Sequence, residues 1–567
     1  MANTPTSNGA SGREVLIVFF TTLIASLTAL WWSWTNHAFL LYGDAEAHMH
    51  IARRLFDSHR PGITQLGSVW LPLPHLLLVP FIAVDPWWRS GFGPAIPSAA
   101  CYLLACLGLY KLARRWLAPL SSSLALILFA CNPNLLYLQT TAMTEPLFLC
   151  ELIWAVLLMV QWYEALDADE KRTSRIMWSL IAVLVAAVYT RYDGWILGFG
   201  AWLAMAICLF RRGKLFRPSF ITVSVVLLLA PVSWMIYNAA VFGDWLDFMR
   251  GPYSAYAIEQ RTASSSVDPH PGWHNLWISL VYYAKASEMD VAALGWGESI
   301  FTLAALGTVW GWLQARKAKR HSGAIQHPAA LASWSWTLFL WLPLSFYDYS
   351  VSYGSVPIFL PVWKPFSWYN TRYGMEMLPG FALFFGFALE AGFRWLAANR
   401  PRYRIPAVAV LLALLTVNFA LMLREKPLVY EEGKKNYEAR GYYNAILSEA
   451  MGHLHQLDPK GLVLMDTSTY SMIVPLAGMT YHDTINESDK QYYKAALAAP
   501  AEHVDIVLAY AGSEIAAAVK AHPEHLRVYR HFHSRGHGWD QLDATLYVTD
   551  TFPLPPGDPV ESAQPGQ

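Results

Sequence analysis

The chain has 567 residues, of which 55% are hydrophobic and only 14% are charged, and its formal net charge is zero. Ordinary soluble domains carry about a quarter of charged residues, so this composition excludes a soluble globular enzyme and is typical of a polytopic membrane protein. The balanced charge gives no electrostatic support for a nucleic-acid partner. The 26 tryptophans suit a chain that meets many bilayer interfaces.

Apolar runs long enough to cross about 30 Å of hydrocarbon predict about eleven transmembrane helices. The predicted spans lie near residues 14–34, 96–113, 122–138, 143–163, 176–190, 194–210, 219–240, 294–315, 331–347, 373–394 and 404–423. We interpret the first span as a retained helix rather than a signal peptide, because Trp31, Trp32 and Trp34 stand where a cleavage site needs small residues.

The basic residues collect in alternate loops, and such loops are usually cytoplasmic. This bias places the N-terminal tail, residues 1–13, inside the cell. The loops 35–95, 242–293 and 348–371, and all residues after about 424, are then extracytoplasmic. We therefore expect a multi-pass protein of a bacterial cytoplasmic (inner) membrane whose reactive polar residues lie on the outer side.

The first outer loop, residues 35–95, is predicted to be ordered. Residues 44–58 are typical of a helix lying on the membrane surface, with Ile51 and Leu55 on its apolar face. Such a helix would hold its own start, with Asp44, at a fixed depth. The later run Leu76–Val84 is too short to span the bilayer and is predicted to be interfacial or re-entrant.

The chain changes character after residue 424, which ends the predicted transmembrane domain of residues 14–424. Residues 425–552 are predicted to form a soluble extracytoplasmic α/β domain with helices near 434–456 and 512–521. Its predicted strands are Gly461–Thr467, Val504–Tyr510, Leu526–Phe532 and Ala544–Thr549. The segments Met1–Gly12 and Pro553–Gln567 are rich in small polar residues, Pro and Gly, and are predicted to be disordered.

Three carboxylates stand at predicted outer boundaries between lipid and water. Asp44 and Glu46 follow the first span, and Glu145 precedes Pro146 at the outer start of the fourth. An acidic residue before a helix is often only a cap, and that interpretation stays open for Asp44 and Glu145. Their common side of the membrane nevertheless favours a catalytic site.

Two arginines are candidate cations on the same side. Arg191 lies in the short outer hairpin between the fifth and sixth spans, and Arg372 lies at the outer start of the tenth. A guanidinium matches a phosphate bidentately, so either arginine could bind a lipid phosphate. The alternatives for Arg191 are an ion pair with Asp193 or simple snorkelling to the interface.

A divalent metal is the weaker interpretation of the same acids, and we predict no metal and no cofactor. Possible ligands are Asp44, Glu46, His48, His50 and Glu145. However, the two histidines would point to different sides of a helix, and the chain has no acidic Asp-x-Asp pattern at this site.

The order of these motifs resembles the GT-C glycosyltransferases that use polyprenyl-phosphate sugars. The resemblance is to the protein O-mannosyltransferases, the aminoarabinose transferase of lipid A and the Rgt-type enzymes, and it covers roughly residues 14–425. It is carried by the acid pair Asp44 and Glu46, Leu71-Pro72-Leu73-Pro74, Thr144-Glu145-Pro146-Leu147, Thr190-Arg191-Tyr192, and Arg372-Tyr373 followed by Pro379.

The resemblance implies a GT-C-like fold and a role for each matching residue. Asp44 would be the general base and Glu46 an auxiliary acid. Glu145 would orient the acceptor or the base, and Arg191 and Arg372 would bind the donor phosphate. The neighbouring side chains predicted to contact substrate are Tyr192, Tyr373, His48 and His75.

Two departures from the family pattern concern phosphate binding. Relatives often have Lys in the hairpin where this chain has Arg191. They also often have Lys or His before the proline pair, whereas here Trp70 precedes it and His75 follows it.

The predicted function is transfer of a sugar from a polyprenyl-phosphate donor to an acceptor hydroxyl, with inversion at the anomeric carbon. A lipid phosphate is already a good leaving group, so one base and one charge-neutralising cation suffice, whereas a glycosidase needs a second carboxylate to protonate its leaving alcohol. The acceptor could be a protein, a lipid or a glycan. The competing class is a transporter or lipid flippase, which predicts broken helices and ion-coupling residues near the bilayer midplane. A sensor is a further alternative, but eleven spans exceed what an anchor needs.

Overall fold

The computed structural model describes residues 9–167, 169–263, 270–293, 295–320, 333–468, 470–534 and 542–558. Residues 1–8 and 559–567 of the two segments predicted to be disordered lie outside these ranges. So do residue 294 of one predicted span and residues 331 and 332 of the next.

The described chain divides into two compact units that both draw on distant parts of the sequence. The first unit comprises Met1–Ala38, Ser68–Pro74 and Ala95–Glu432. The second comprises Phe39–Gly67, His75–Pro94 and Gly433–Gln567. The predicted division into residues 14–424 and 425–552 stays a prediction.

Helices dominate the structure, and the fold class is the predicted one, a polytopic α-helical protein with a small α/β domain near its C-terminus. The α-helices up to residue 242 are Gly12–Thr35, Gly43–Arg54, Pro72–Ile82, Asp85–Ser90, Phe92–Ala113, Pro119–Ala130, Pro133–Leu138, Glu145–Ala165, Glu170–Thr190, Tyr192–Phe210 and Pro218–Phe242. Those that follow, up to residue 457, are Asp247–Arg250, Ala255–Ala263, Leu276–Val291, Trp296–Arg320, Leu342–Tyr353, Leu378–Asn399, Arg404–Glu425 and Leu428–Leu457. Short 3-10 helices cover Ile63–Leu66, Ser333–Trp341, Thr371–Met377 and Pro401–Tyr403.

Among the described residues, eight helical stretches are long and apolar enough to cross a membrane, or nine if the bent pair Leu276–Val291 and Trp296–Lys317 counts as one span. The predicted count of eleven stays a prediction. The predicted span near 122–138 is two helices, because Asn132 and Pro133 start a new one: the Asn132 side chain accepts hydrogen bonds from the backbone N–H of Asn134 and Leu135.

The helix Gly12–Thr35 shows why the first unit belongs in a bilayer. Its apolar side chains are largely exposed, with Phe20 at 56%, Ile24 at 66% and Trp31 at 68% of their full accessible surface. Water contact over such a continuous apolar surface is unfavourable, and hydrocarbon contact is not.

The interior of the first unit is built from packed helices and one 3-10 segment. Helix Glu145–Ala165 packs against Glu170–Thr190, and helix Leu276–Val291 packs against both Leu342–Tyr353 and Thr371–Met377. These contacts bring the starts of several helices together, which is where the unit's buried charges lie.

The second unit contains a helix, Gly43–Arg54, where one was predicted over residues 44–58, and a five-stranded sheet; the helix ends before residues 55–58, and its predicted position on the membrane surface stays a prediction. The strands are β1 Val463–Leu464, β2 Thr484–Ile485, β3 Ile506–Tyr510, β4 Leu526–Ser534 and β5 Leu542–Thr549. Their order is β2-β1-β3-β5-β4, with β1 parallel to β2 and β3, and β5 antiparallel to β3 and β4. The remaining helices are Ile473–Leu476, Gln491–Ala498, Pro500–His503 and Glu514–Ala521, with 3-10 turns at Tyr481–Asp483 and Glu487–Asp489.

The four predicted strands are confirmed as β1, β3, β4 and β5. The two-residue strand β2 was not predicted, because a strand so short leaves no alternating pattern in the sequence.

Candidate active site

Glu145 is the first residue of its helix and is fully buried. It follows Thr144 at the N-cap position, where no side-chain cap forms. Its carboxylate instead meets two guanidiniums, with Oε1 3.5 Å from Arg191 Nη1 and 3.2 Å from Arg372 Nε. The positive end of the helix dipole adds to this stabilisation of a negative charge.

Arg191 links two helices through a single extended residue. Its φ and ψ are −150° and 157°, between helices Glu170–Thr190 and Tyr192–Phe210. This geometry turns the guanidinium into the unit, where its side chain is only 15% exposed.

The five N–H groups of the Arg191 guanidinium all have acceptors nearby. The partners are Asp193 Oδ2 at 3.2 Å from Nε, Thr144 Oγ1 at 2.7 Å and Glu145 Oε1 at 3.5 Å from Nη1, and Tyr347 Oη at 2.6 Å and Glu376 Oε1 at 3.0 Å from Nη2. The alternative interpretation, in which Arg191 pairs with Asp193, is therefore present in the structure, together with two further acids.

Arg372 lies on the 3-10 segment Thr371–Met377 and is buried to 5% exposure. Its Nη1 is 2.9 Å from Glu432 Oε1, and its Nε reaches Glu145. The arginine thus joins an acid from early in the chain to one from the end of the first unit.

Glu432, which was not predicted, organises the segment before Arg372. One of its oxygens accepts from the backbone N–H of Asn370 at 2.9 Å, and the other from the N–H of Thr371 at 2.8 Å and from the Thr371 hydroxyl. Asn370 has φ +57°, a conformation that asparagine tolerates better than most residues. A single buried carboxylate therefore fixes the backbone that presents Arg372.

Tyr347 and Tyr373 complete the surroundings of Arg191. The Tyr347 hydroxyl accepts from Arg191 and donates to Glu376 at 2.6 Å, and its ring stacks on that of Tyr373 at 5.0 Å between centroids. Both guanidiniums lie over the Tyr373 ring, Arg372 at 4.8 Å and Arg191 at 5.3 Å. Cation–π contact of this kind holds the arginines in place and leaves their N–H groups available for hydrogen bonds.

We name this group the buried charge cluster; its members are Glu145, Arg191, Asp193, Tyr347, Arg372, Tyr373, Glu376 and Glu432. Two guanidiniums face four carboxylates in it. The second oxygens of Glu145 and Glu376 are buried and have no hydrogen-bond partner within the described part of the chain. Such an excess of acid can be balanced by protons or by a positively charged or hydroxyl-bearing ligand.

Glu376 and Asp290 are further acids that sequence reasoning missed. Glu376 falls inside the predicted span 373–394, and an ionisable residue within a span is itself a signal of function. Asp290 is 1% exposed, and neither of its carboxylate oxygens accepts a hydrogen bond from a described residue. It lies near the end of the helix that packs on Thr371–Met377, in a stretch that was predicted to be a loop. Its burial was therefore not predicted.

Asp44 and Glu46 lie in the second unit, on the first turn of helix Gly43–Arg54. Tyr42, not Asp44, is at the N-cap position, and its side chain makes no cap. Asp44 is half-buried, and its carboxylate lies in the first turn, where the positive end of the helix dipole stabilises a negative charge.

Glu46 is buried to 2% exposure and both of its oxygens are engaged. Arg440 Nη2 lies 3.0 Å from Oε1, and the Ser471 hydroxyl donates to Oε2 at 3.4 Å. Burial raises the pKa of the Glu46 carboxyl above its ordinary value, and the charge of Arg440 opposes that rise.

The same helix carries two buried histidines. His48 Nδ1 is 2.9 Å from His75 Nε2, so the two predicted substrate-binding histidines are in direct contact. His50 accepts a hydrogen bond at Nδ1 from Trp88 Nε1 at 3.4 Å and directs Nε2 at the Met472 sulfur. Burial lowers the pKa of His50 to about 3, with Arg54 and Arg53 contributing, so this imidazole is neutral near pH 7.

Tyr192 follows Arg191 in the chain but lies outside the buried charge cluster. Its hydroxyl donates to the Val69 carbonyl at 2.7 Å, and its ring stacks on Phe248 at 5.3 Å. The predicted contact of Tyr192 with substrate stays a prediction. In the structure its side chain packs against the segment that precedes Pro72.

The described residues contain no group of three or more His, Cys, Asp or Glu side chains placed to hold a metal ion. The prediction of a metal-independent reaction is untested by this finding.

Comparison with known proteins gives a match to a family model and likenesses to solved structures. Residues 89–237 match the family model described as dolichyl-phosphate-mannose-protein mannosyltransferase. No curated protein matches the chain significantly.

The structural likenesses are to crystal structures of the Archaeoglobus fulgidus oligosaccharyltransferase. The apo form is 12% identical with a TM-score of 0.49, and the form tethered to an acceptor peptide by a disulfide is 11% identical with a TM-score of 0.46. Each alignment covers 97% of this chain and 76% of the other. The sequence match contains Glu145 and Arg191, and it makes residues 89–237 similar to a mannosyltransferase family of the GT-C kind that the motifs resemble.

Proposed function

We propose that the protein is an inverting glycosyltransferase that moves a sugar from a polyprenyl-phosphate donor to an acceptor hydroxyl on the outer face of the cytoplasmic membrane. The matched family is described by a lipid-phosphate sugar donor, dolichyl-phosphate mannose, which supports this donor class. The eight candidate spans support a membrane-embedded route for the lipid.

The buried charge cluster is the observation that carries the proposal. Glu145, at the outer start of a span, is fully buried and held by two arginines. Burying charges costs several kcal/mol for each ion unless they are paired, and near a membrane they usually mark a functional site. Two of the cluster's residues, Glu145 and Arg191, belong to the segment that matches the mannosyltransferase family.

In the proposed reaction Asp44 is the general base. It removes the proton of the acceptor hydroxyl while that oxygen forms a bond to the anomeric carbon. The bond from the anomeric carbon to the phosphate oxygen breaks, and the polyprenyl phosphate leaves with the electron pair. A single in-line displacement of this kind inverts the anomeric centre. Glu46 is an auxiliary acid beside the base.

The arginines are proposed to neutralise the leaving phosphate, and the structure adds a condition to that role. Carboxylates and hydroxyls already surround the five N–H groups of Arg191, and Glu145 and Glu432 engage Arg372. We propose that the phosphate exchanges with one of these carboxylates. Glu145, once displaced, would be available to orient the acceptor hydroxyl.

The test uses the full-length protein in liposomes with radiolabelled polyprenyl-phosphate sugars, both hexoses and pentoses. We expect transfer of label to an acceptor fraction and release of polyprenyl phosphate. Asp44→Asn is expected to lower kcat by about 10²- to 10⁴-fold, the usual contribution of a general base. Lys434→Gln is the control, because the Lys434 side chain is 42% exposed and, within the described residues, its ion pair is with Glu438.

Wild-type transfer by Asp44→Asn would show that another group is the base. Movement of label across the bilayer without any transfer would instead support the transporter or flippase class.

A further inference from the structure

Helix Gly43–Arg54 begins without a cap of its own. The first backbone N–H groups of a helix have no partner within it, and a side chain at the N-cap position normally accepts from them. Tyr42 occupies that position and provides no such bond. The turn that carries Asp44 therefore depends on other parts of the second unit for its order.

Asn436 and Arg440 provide that order from nearly four hundred residues later in the chain. The Asn436 side-chain oxygen accepts from the Gly43 N–H at 2.9 Å, which satisfies the first unpartnered donor of the helix. Arg440, one helical turn after Asn436, donates to the same oxygen and to Glu46 Oε1 at 3.0 Å. The two side chains therefore hold Gly43, one residue before Asp44, and Glu46, two residues after it.

The absence of a side chain at Gly43 is part of this arrangement. A Cβ built on Gly43 would lie 2.6 Å from Arg440 Nη1, closer than any relaxed contact. Because glycine has no Cβ, the guanidinium approaches the backbone at this point and still reaches Glu46; a Cβ here would require the Arg440 side chain to shift.

We propose that Asn436 and Arg440 are positioning residues for Asp44, so that the C-terminal region sets the geometry of the catalytic base. This inference rests on the proposed function, in which Asp44 is that base. It assigns a positioning role in catalysis to residues after 433. A displacement of a reacting group by about 1 Å can cost roughly 100-fold in rate, so fixing this turn has a direct kinetic consequence.

Arg440 also controls the charge beside the base. With Arg440 present, the Glu46 carboxylate is paired; with Arg440→Gln, it is buried two residues from Asp44 without a cation, so the two carboxyl groups cannot both ionise easily. A second negative charge nearby disfavours ionisation of a carboxyl group. The lower limb of the pH–rate profile, which reports ionisation of the base, should therefore move to higher pH.

The experiment measures kcat, donor KM and the pH–rate profile for a series of full-length variants in liposomes. Arg440→Gln is expected to lower kcat by roughly 10- to 100-fold with donor KM unchanged, and to shift the lower limb to higher pH. The double variant Glu46→Gln/Arg440→Gln leaves no buried charge unpaired, so it should recover more than half of the lost rate on a logarithmic scale and restore the limb. Asn436→Ala should show a smaller fall in kcat without a shift of the limb.

Lys434→Gln, on the exposed side of the same helix, is the matched control and should behave as the wild type. If Arg440→Gln fails to fold, the double variant provides the readout. Its lower limb lies at the wild-type pH only if the charge of Glu46 acts on the base.

A wild-type rate and limb in Arg440→Gln, in a preparation where Asp44→Asn is inactive, would overturn the positioning role and leave the proposed function intact. If Asp44→Asn itself is fully active, the base assignment fails first and this inference fails with it.

Discussion

The two units hold their acids in different ways. In the buried charge cluster of the first unit, each arginine is shared among several acids, and Arg191 alone contacts Glu145, Asp193 and Glu376. On the Asp44 helix of the second unit, Glu46 has Arg440 as its only ion-pair partner among the described residues. When several ion pairs share an arginine, the loss of one contact leaves the others in place. When a buried carboxylate has a single cation, the loss of that cation changes the carboxylate directly. Loss of an arginine from the buried charge cluster should therefore act mainly on stability, and changes at the Glu46–Arg440 pair mainly on rate.

The largest expected effect comes from Arg372→Met. It leaves Glu145 and Glu432 buried with fewer cations, and removing one partner of a buried ion pair costs about 3–5 kcal/mol. Thermal or denaturant unfolding in detergent measures the loss. Arg394→Met is the control, since Arg394 is half exposed and its pair with Glu390 should contribute no more than about 0.5 kcal/mol. Equal destabilisation by the two variants would contradict the network.

The next effect is a pH dependence confined to the second unit. The pKa of buried His50 is lowered to about 3, so the unfolded chain binds a proton near pH 6.5 that the folded unit excludes. Stability from this group is complete above pH 6.5 and falls as the pH drops towards 3. The loss from His50 itself between pH 7 and pH 5 should be about 2 kcal/mol, and the buried Glu46, whose pKa is raised, acts in the opposite direction.

Hydrogen exchange of residues 43–54 at several pH values measures this loss. His50→Gln should flatten the dependence, and an unchanged slope in that variant would assign it to other groups.

A smaller effect is expected from Arg191→Lys, which keeps the charge of the buried charge cluster. Lysine has three donors on one nitrogen and cannot reproduce the planar set that meets Asp193, Thr144 and Tyr347. We expect donor KM to rise about tenfold, or about 1.4 kcal/mol, with kcat within a few-fold of the wild type. A fall in kcat with unchanged KM would make Arg191 a scaffold residue, not a phosphate ligand.

The smallest effect should come from Gly43→Ala. The added methyl group meets the far end of the flexible Arg440 side chain, which must shift to make room. We expect kcat to fall about threefold, which corresponds to less than 1 kcal/mol. Gly392→Ala is the matched control, because nothing lies within 4 Å of a Cβ built at that helical glycine.

The sequence was informative where function and element boundary coincide. Glu145, Arg191 and Arg372 stand at helix starts or in a tight link, so the predicted topology alone put them on one side of the membrane, and the structure brings all three together. The acid pair at Asp44 and Glu46 was visible for the same reason.

The sequence could not indicate which ion-pair and hydrogen-bond partners the tertiary fold brings together. Glu432 precedes no motif, and only the fold brings it to the N–H groups of Asn370 and Thr371. Arg440 meets Glu46 across nearly four hundred residues, and nothing in the local pattern distinguishes it from an exposed helical arginine. Long-range ion pairs leave no periodic trace, because they depend on tertiary contact and not on spacing.

The position of Glu432 in the sequence also determines when the buried charge cluster can form during synthesis. It is the last residue of the first unit, and its carboxylate binds Arg372 and the two N–H groups before it. Chains grow from the N-terminus at about 5–20 residues per second, so every span up to residue 425 is made before this carboxylate exists. The nascent protein therefore carries Arg372 through insertion without its final partner, and closure of the buried charge cluster is a late event that marks a completely translated membrane part.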